Sequence, residues 1–159
     1  MIRRVLFSLA FLAAAAAPVA AQVPVLDVRL GVNVNQPIGD TGDLFGLGYG
    51  AYARVGAPVG PFKLMGAVTL NQFRGKEITP GVSVENSNFW SLQAGPHFGA
   101  GPLDIGVEAA WFGFEGDSEF GISPNVSIGL MGFEITGSFN TTFKDPATRW
   151  INVGAGFRF

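Results

Sequence analysis

Apolar residues recur at every second position once the chain passes Gln22. Leu26, Val28, Leu30, Val32 and Val34 fall on one side of an extended segment, and Asp27, Arg29, Gly31, Asn33 and Asn35 fall on the other. Helical spacing would scatter both sets, whereas successive side chains of a strand point to opposite faces. The same alternation predicts seven further strands. The second places Phe45, Leu47, Tyr49, Ala51, Ala53 and Val55 opposite Gly46, Gly48, Gly50, Tyr52 and Arg54. The third places Phe62, Leu64, Gly66, Val68 and Leu70 opposite Lys63, Met65, Ala67, Thr69 and Asn71. The fourth runs from Phe89 to Phe98 and is interrupted by Pro96, which has no N–H for a ladder. The fifth runs from Leu103 to Trp111, the sixth from Phe120 to Leu130, the seventh from Phe133 to Phe143 and the eighth from Ile151 to Phe159.

The connections are expected to alternate in length. Val59-Gly60-Pro61, Gly99 to Pro102 and Met131-Gly132 have tight-turn compositions. Pro37 to Asp43, Arg74 to Ser87, Glu115 to Glu119 and Lys144 to Thr148 are longer or more charged. Short turns on one rim and polar loops on the other suit an all-β fold, an eight-stranded antiparallel up-and-down transmembrane β-barrel. Both termini then lie on the short-turn rim.

The first 21 residues have a different pattern. Arg3 and Arg4 precede an apolar run from Val5 to Ala17, and Pro18-Val19-Ala20-Ala21 supplies small residues before Gln22. This is the layout of a cleaved signal peptide, so residues 1–21 are expected to direct export and 22–159 to form the barrel domain. Removing residues 1–21 leaves eight basic and twelve acidic residues. No basic patch remains for nucleic acid. No later stretch offers 18 consecutive apolar residues for a membrane helix.

Composition narrows the chemistry. Charged residues are only 14%, glycines number 23 and phenylalanines 15. There is no cysteine and a single histidine, His97. Thiolate metal sites and disulfides are excluded, and a zinc cluster is not expected. No catalytic, cofactor-binding or metal-binding residues are assigned.

Two environments fit a barrel with one apolar face. A soluble carrier turns that face inward, and a membrane barrel turns it outward. The apolar face carries most of the aromatics, many near strand ends, as an interfacial girdle requires. The polar face carries glycines, small polar groups and eight charges in equal numbers. These are Asp27, Asp104, Glu108 and Glu134 against Arg29, Arg54, Lys63 and Arg158. A paired set of this kind would satisfy a buried lumen. Finally, Ile151, Val153, Ala155, Phe157 and Phe159 alternate up to a terminal aromatic, which resembles the C-terminal insertion signal of bacterial outer-membrane proteins. With the leader and eight strands, the chain resembles small OmpA/OmpX-type or opacity-like barrels. That resemblance implies localisation to the bacterial outer membrane of a Gram-negative cell envelope. It also implies contact with outer-membrane lipids and lipopolysaccharide, and handling by periplasmic chaperones and the barrel-insertion machinery during biogenesis.

The functional expectation is a non-enzymatic barrel with a structural or surface-interaction role and a lumen plugged by paired charges. The runner-up is a narrow porin-like channel, for which lumen glycines (Gly31, Gly46, Gly48, Gly50, Gly106, Gly129, Gly154 and Gly156) would leave the path. A soluble periplasmic ligand-binding barrel and a lipid-modifying outer-membrane enzyme rank lower. The enzyme reading suffers because His97 lies beside the short turn at Gly99 to Pro102, with no serine two places away. The long-loop rim has an acidic excess that solvated loops explain, although such oxygens can also ligate calcium or magnesium.

Overall fold

A computed structural model describes residues 26–159; the expected signal peptide lies outside the described residues. Eight long strands close into one barrel. They are β1 (Asp27–Ile38), β2 (Gly48–Val59), β3 (Phe62–Phe73), β6 (Ser87–Ala100), β7 (Leu103–Phe114), β8 (Asp117–Leu130), β9 (Phe133–Thr142) and β10 (Arg149–Arg158). Neighbouring strands pair antiparallel, in up-and-down order, and β1 closes the cylinder against β10. Two outer loops carry small elements: helix α1 (Asp40–Leu44) and the hairpin β4 (Glu77–Thr79) with β5 (Val82–Ser83).

Closure matters because a strand edge in lipid would leave N–H and C=O groups unpaired. Three two-residue turns tighten the short-turn rim. Gly60 and Gly101 adopt φ of 60° and 62° ahead of prolines, and Met131-Gly132 has φ of 52° and 84°. Positive φ at the first position, or at both, gives the turn a twist that matches the flanking strands.

The outward face is apolar. Val32 is 65% exposed, Ile135 64% and Val153 55%, whereas Arg29 and Glu108 are fully buried. Tyr49, Trp90, Trp111, Phe120 and Phe143 ring the long-loop end of this face, and Phe62, Phe98, Phe133, Phe157 and Phe159 ring the other. The rings touch along each girdle: Trp90 lies 5.3 Å from Trp111, and Phe133 lies 4.9 Å from Phe157. The step from Trp90 to Phe98 covers roughly 26 Å of strand and about 20 Å of height at a tilt of roughly 40°. Membrane barrels carry an apolar band of ~25 Å between girdles. Every charged side chain of the described residues lies in the lumen or on the loop rim; none lies on the band between the girdles.

Several expectations need correction. The second strand begins at Gly48, so Phe45, Gly46 and Leu47 belong to the loop. There Phe45 turns against Phe73, at 5.8 Å between rings, instead of facing outward. The segment from Glu115 to Glu119 is not a long loop. Pairing continues to Phe114 opposite Asp117, and a two-residue turn with Gly116 at φ 87° joins the strands. Pro96 does not end its strand. Pairing with β7 stops after Ala94 and resumes at His97 in the same register, while Pro96 still faces Leu64 of β3. Pro124 leaves a matching gap between β8 and β9.

Candidate functional site

The side chains that face the lumen form three layers. The layer next to the short turns is ionic. Arg29, on β1, uses all five N–H donors of its guanidinium. Nε donates to Asp27 at 3.0 Å, and Nη2 donates to Asp27 at 2.8 Å and Asp104 at 2.9 Å. Nη1 donates to Ser127 at 2.9 Å and Glu134 at 2.5 Å. Lys63 pairs with Asp27 and, at 3.0 Å, with Asp104. Arg158 of β10 reaches Asp27 at 3.0 Å. Glu108 faces Arg54 at 3.5 Å and His97 at 3.0 Å, and His97 reaches Asp104 at 2.5 Å.

The structure therefore brings all eight charged lumen residues into one connected set, with His97 as the bridge between its two parts. The sequence pattern does not flag that bridging role. His97 is on the polar face, but its contact with Asp104 and Glu108 depends on the register of β6 against β7. Gly106 stands opposite, and a Cβ there would fall on the imidazole. Tyr52, also on the polar face, donates its hydroxyl to Glu134 at 3.4 Å. Removing one partner of a buried pair typically costs about 3–5 kcal/mol, since a charge is left uncompensated. The network is thus a strong constraint on its own members.

The middle layer is uncharged and polar. Asn71 accepts from Asn33 at 3.0 Å and Asn35 at 2.9 Å and donates to Thr69 at 2.7 Å. Ser91 and Gln93 continue the chain at 2.8 Å. A cavity of about 20 Å³ remains here, lined by Asn33, Arg54, Asn140 and Trp150 among others. Asn33 Oδ1 and Arg54 Nη1 are buried without a partner.

The outer layer is aromatic, which the sequence reading did not anticipate. Phe73, Phe89, Phe112 and Trp150 form a buried cluster inside the lumen mouth, joined by Phe45 and Phe114. Trp150 stands edge-on to Phe112 at 4.8 Å and to Phe89 at 5.3 Å. The interior is therefore not uniformly small and polar. Phe89 already shares the parity of the polar face. Phe73, Phe112 and Trp150 join it once the strands extend beyond their expected ends.

Above the mouth, two loops are stitched together. Gly46 N–H donates to the Arg74 carbonyl at 2.7 Å and Lys76 N–H to the Leu44 carbonyl at 3.0 Å. The Arg149 N–H donates to the hydroxyl of Thr41 in α1 at 3.3 Å. Asp117 pairs with Lys144, whose ammonium, together with the Ser118 N–H, holds the Asp117 carboxyl below its usual value of 3.8. Among the described residues, no group of three or more His, Cys, Asp or Glu is arranged to hold a metal ion.

No protein-family model matches the chain, and no curated protein does. Solved structures do resemble it. The outer-membrane protein Ail of Yersinia pestis, in a phospholipid bilayer nanodisc, matches with a TM-score of 0.61 at 14% identity, over 84% of this chain and 99% of that one. Ail in complex with the heparin analogue sucrose octasulfate matches at 0.52 and 18% identity, over 84% and 97%. Neisserial surface protein A matches at 0.58 and 14%, over 84% and 95%. The N-terminal β-barrel domain of Pseudomonas aeruginosa OprF matches at 0.58 and 17%, over 84% and 97%. At these identities the likeness is one of architecture: this chain has the fold of the small eight-stranded outer-membrane barrels.

Proposed function

We propose that the protein is a non-enzymatic barrel of the bacterial outer membrane whose lumen does not conduct, and whose role is structural or carried by its outer loops. What supports this reading is the packing of side chains across the lumen. A cavity of about 20 Å³ has room for roughly one water, whose minimum is ~10–15 Å³ by the same measure. The lumen glycines do not open a path, because long side chains occupy the space beside them. A Cβ at Gly31 would meet Tyr52, one at Gly50 would meet Asn71 and Asn33, and one at Gly48 would meet Phe73. The apolar exterior supports a hydrocarbon surrounding, with outer-membrane lipids and lipopolysaccharide as the neighbours. The alternation from Ile151 to Phe159 supports recognition by the insertion machinery and its chaperones, and the leader supports export by a cleaved signal peptide.

The non-enzymatic reading rests on His97. Its two ring nitrogens both engage carboxylates inside the ionic layer. A general base needs hydrogen-bond reach to a substrate proton, and this ring has none to spare. The outer rim is acidic, with Asp40, Asp43, Glu77, Glu85, Glu115, Asp117, Glu119 and Asp145 against Arg74, Lys76, Lys144 and Arg149. Ail has been seen with a polysulfated ligand; the charge of this rim favours cationic partners instead.

Planar-bilayer recording of the purified protein tests the closed lumen. Silent or rare, small openings are expected. A large, stable conductance would overturn the reading in favour of a channel.

A further inference from the structure

Above the aromatic layer, a cavity of about 190 Å³ lies between α1, the start of β6, the end of β7 and the 143–148 loop. Buried Phe73 forms part of its lining, with the half-buried rings of Phe45 and Phe114. Pro146 and Ala147 add apolar surface, and exposed Asp40 is the one charged residue that lines it.

Three of the four cations of this rim are engaged elsewhere. Lys144 pairs with Asp117 and, at 3.4 Å, with Glu119. Lys76 donates to the Gly42 carbonyl at 2.5 Å, and Arg74 lies over the outward-facing ring of Tyr49 at 5.7 Å. Arg149 is exposed and does not line the cavity. Asp40 forms no ion pair among the described residues, and neither do Asp43 and Asp145 nearby in the loops.

We propose that this vestibule binds an alkylammonium group, with the alkyl chain on the phenylalanine rings and the ammonium at Asp40. Four considerations select that chemistry. The volume is below the roughly 300 Å³ at which drug-sized ligand pockets begin, so the occupant is a group of a few heavy atoms. Apolar and aromatic walls reward burial of methylenes. Phenylalanine faces and a carboxylate both attract a cation, and the acidic excess of the rim repels an anion. A neutral apolar occupant would cover the mouth while leaving Asp40 unpaired. The group is supplied by a free amine or by a lysine side chain of a partner polypeptide. This proposal deepens the surface-interaction reading, yet it is tested without reference to conductance, so either can fail alone.

The test is an NMR titration of the folded protein in a non-ionic detergent at low salt, following the methyl groups of Leu44 and Ala147. The probes are n-butylammonium, n-butanol, butyrate and a short peptide with one central lysine. Butylammonium is expected to give saturable shifts, with contacts from its methylene protons to Phe45 and Phe114. Butanol and butyrate are expected to bind several-fold more weakly. Asp40→Asn should weaken butylammonium about two- to fivefold, the effect of one exposed ion pair. Glu85→Gln, in the β5–β6 loop, should leave it unchanged. Tighter binding of the peptide than of the amine assigns the source to a polypeptide, and the reverse assigns it to a free amine. Absence of saturable shifts with both overturns the proposal. Equal losses in Asp40→Asn and Glu85→Gln would also overturn it, by reducing the effect to diffuse attraction to an acidic rim. Equal affinity for butanol would overturn the ammonium assignment.

Discussion

Replacing Arg29 by methionine should destabilise the barrel by about 3–5 kcal/mol, the usual effect of removing one partner from a buried ionic group. Three carboxylates lose a donor, but unequally. Asp27 keeps Lys63 and Arg158, and Asp104 keeps Lys63 and His97. Glu134 keeps only the Tyr52 hydroxyl at 3.4 Å. The loss is therefore dominated by one abandoned carboxylate, and the three contacts should not be summed. This makes a compensating change specific. Arg29→Met with Glu134→Gln restores equal numbers of the two charges and removes the orphan. The double variant should recover to within about 1.5 kcal/mol of the parent, since replacing both members of a buried pair is often near neutral. Denaturant unfolding from lipid vesicles, followed by tryptophan fluorescence and far-ultraviolet circular dichroism, gives the midpoint and slope for each form. A loss below about 1 kcal/mol in the single variant would refute the reasoning, because lumen charges would then be effectively solvated. A double variant less stable than the single one would refute it as well.

Other outcomes follow from the turns, the rim and the cavity. Met131 sits at φ 52°, which asparagine tolerates better, so Met131→Asn should raise stability by roughly 0.5–1 kcal/mol in the same unfolding assay. Asp117 should titrate below its usual value of 3.8 in an NMR pH series, and Lys144→Met should return it toward that value. Its folded carboxyl is the stronger acid, so the pair's contribution is complete above 3.8 and fades as pH falls through the depressed folded value. One ordered water should occupy the central cavity, accepting from Arg54 Nη1 and donating to Asn33 Oδ1. Water-to-protein Overhauser contacts at the Asn33 side chain would report it, and their absence would mean a dry cavity.

The strands were legible because period two persists through nearly every one of them, and because most Val, Leu and Ile positions within a strand share one face. The outward direction of that face was legible from the aromatics at strand ends and from glycine and charge on the other side. The aromatic layer inside the mouth was not. Phe73, Phe112 and Trp150 fall just past the ends that alternation assigns, and a strand's last turn of pairing is decided by its neighbour, not by its own residues. The Glu115-Gly116 turn was missed for the same reason: acidic composition suggested a loop, while the ladder between Phe114 and Asp117 closes it. The ionic partners were legible as a balanced inventory only. Which carboxylate meets which cation depends on stagger between strands far apart in sequence, as with Arg29 and Glu134, which are 105 residues apart.

That separation bears on how the cylinder is completed. Arg29 lies on β1, while its acceptors come from β1, β7, β8 and β9. An unsealed sheet would hold these groups apart, with the guanidinium exposed to acyl chains or to water and its counter-ions on a distant arm. The polar assembly can mature only when the seam between the first and last strands shuts. In the closed ring every interior charge has a neighbour of opposite sign.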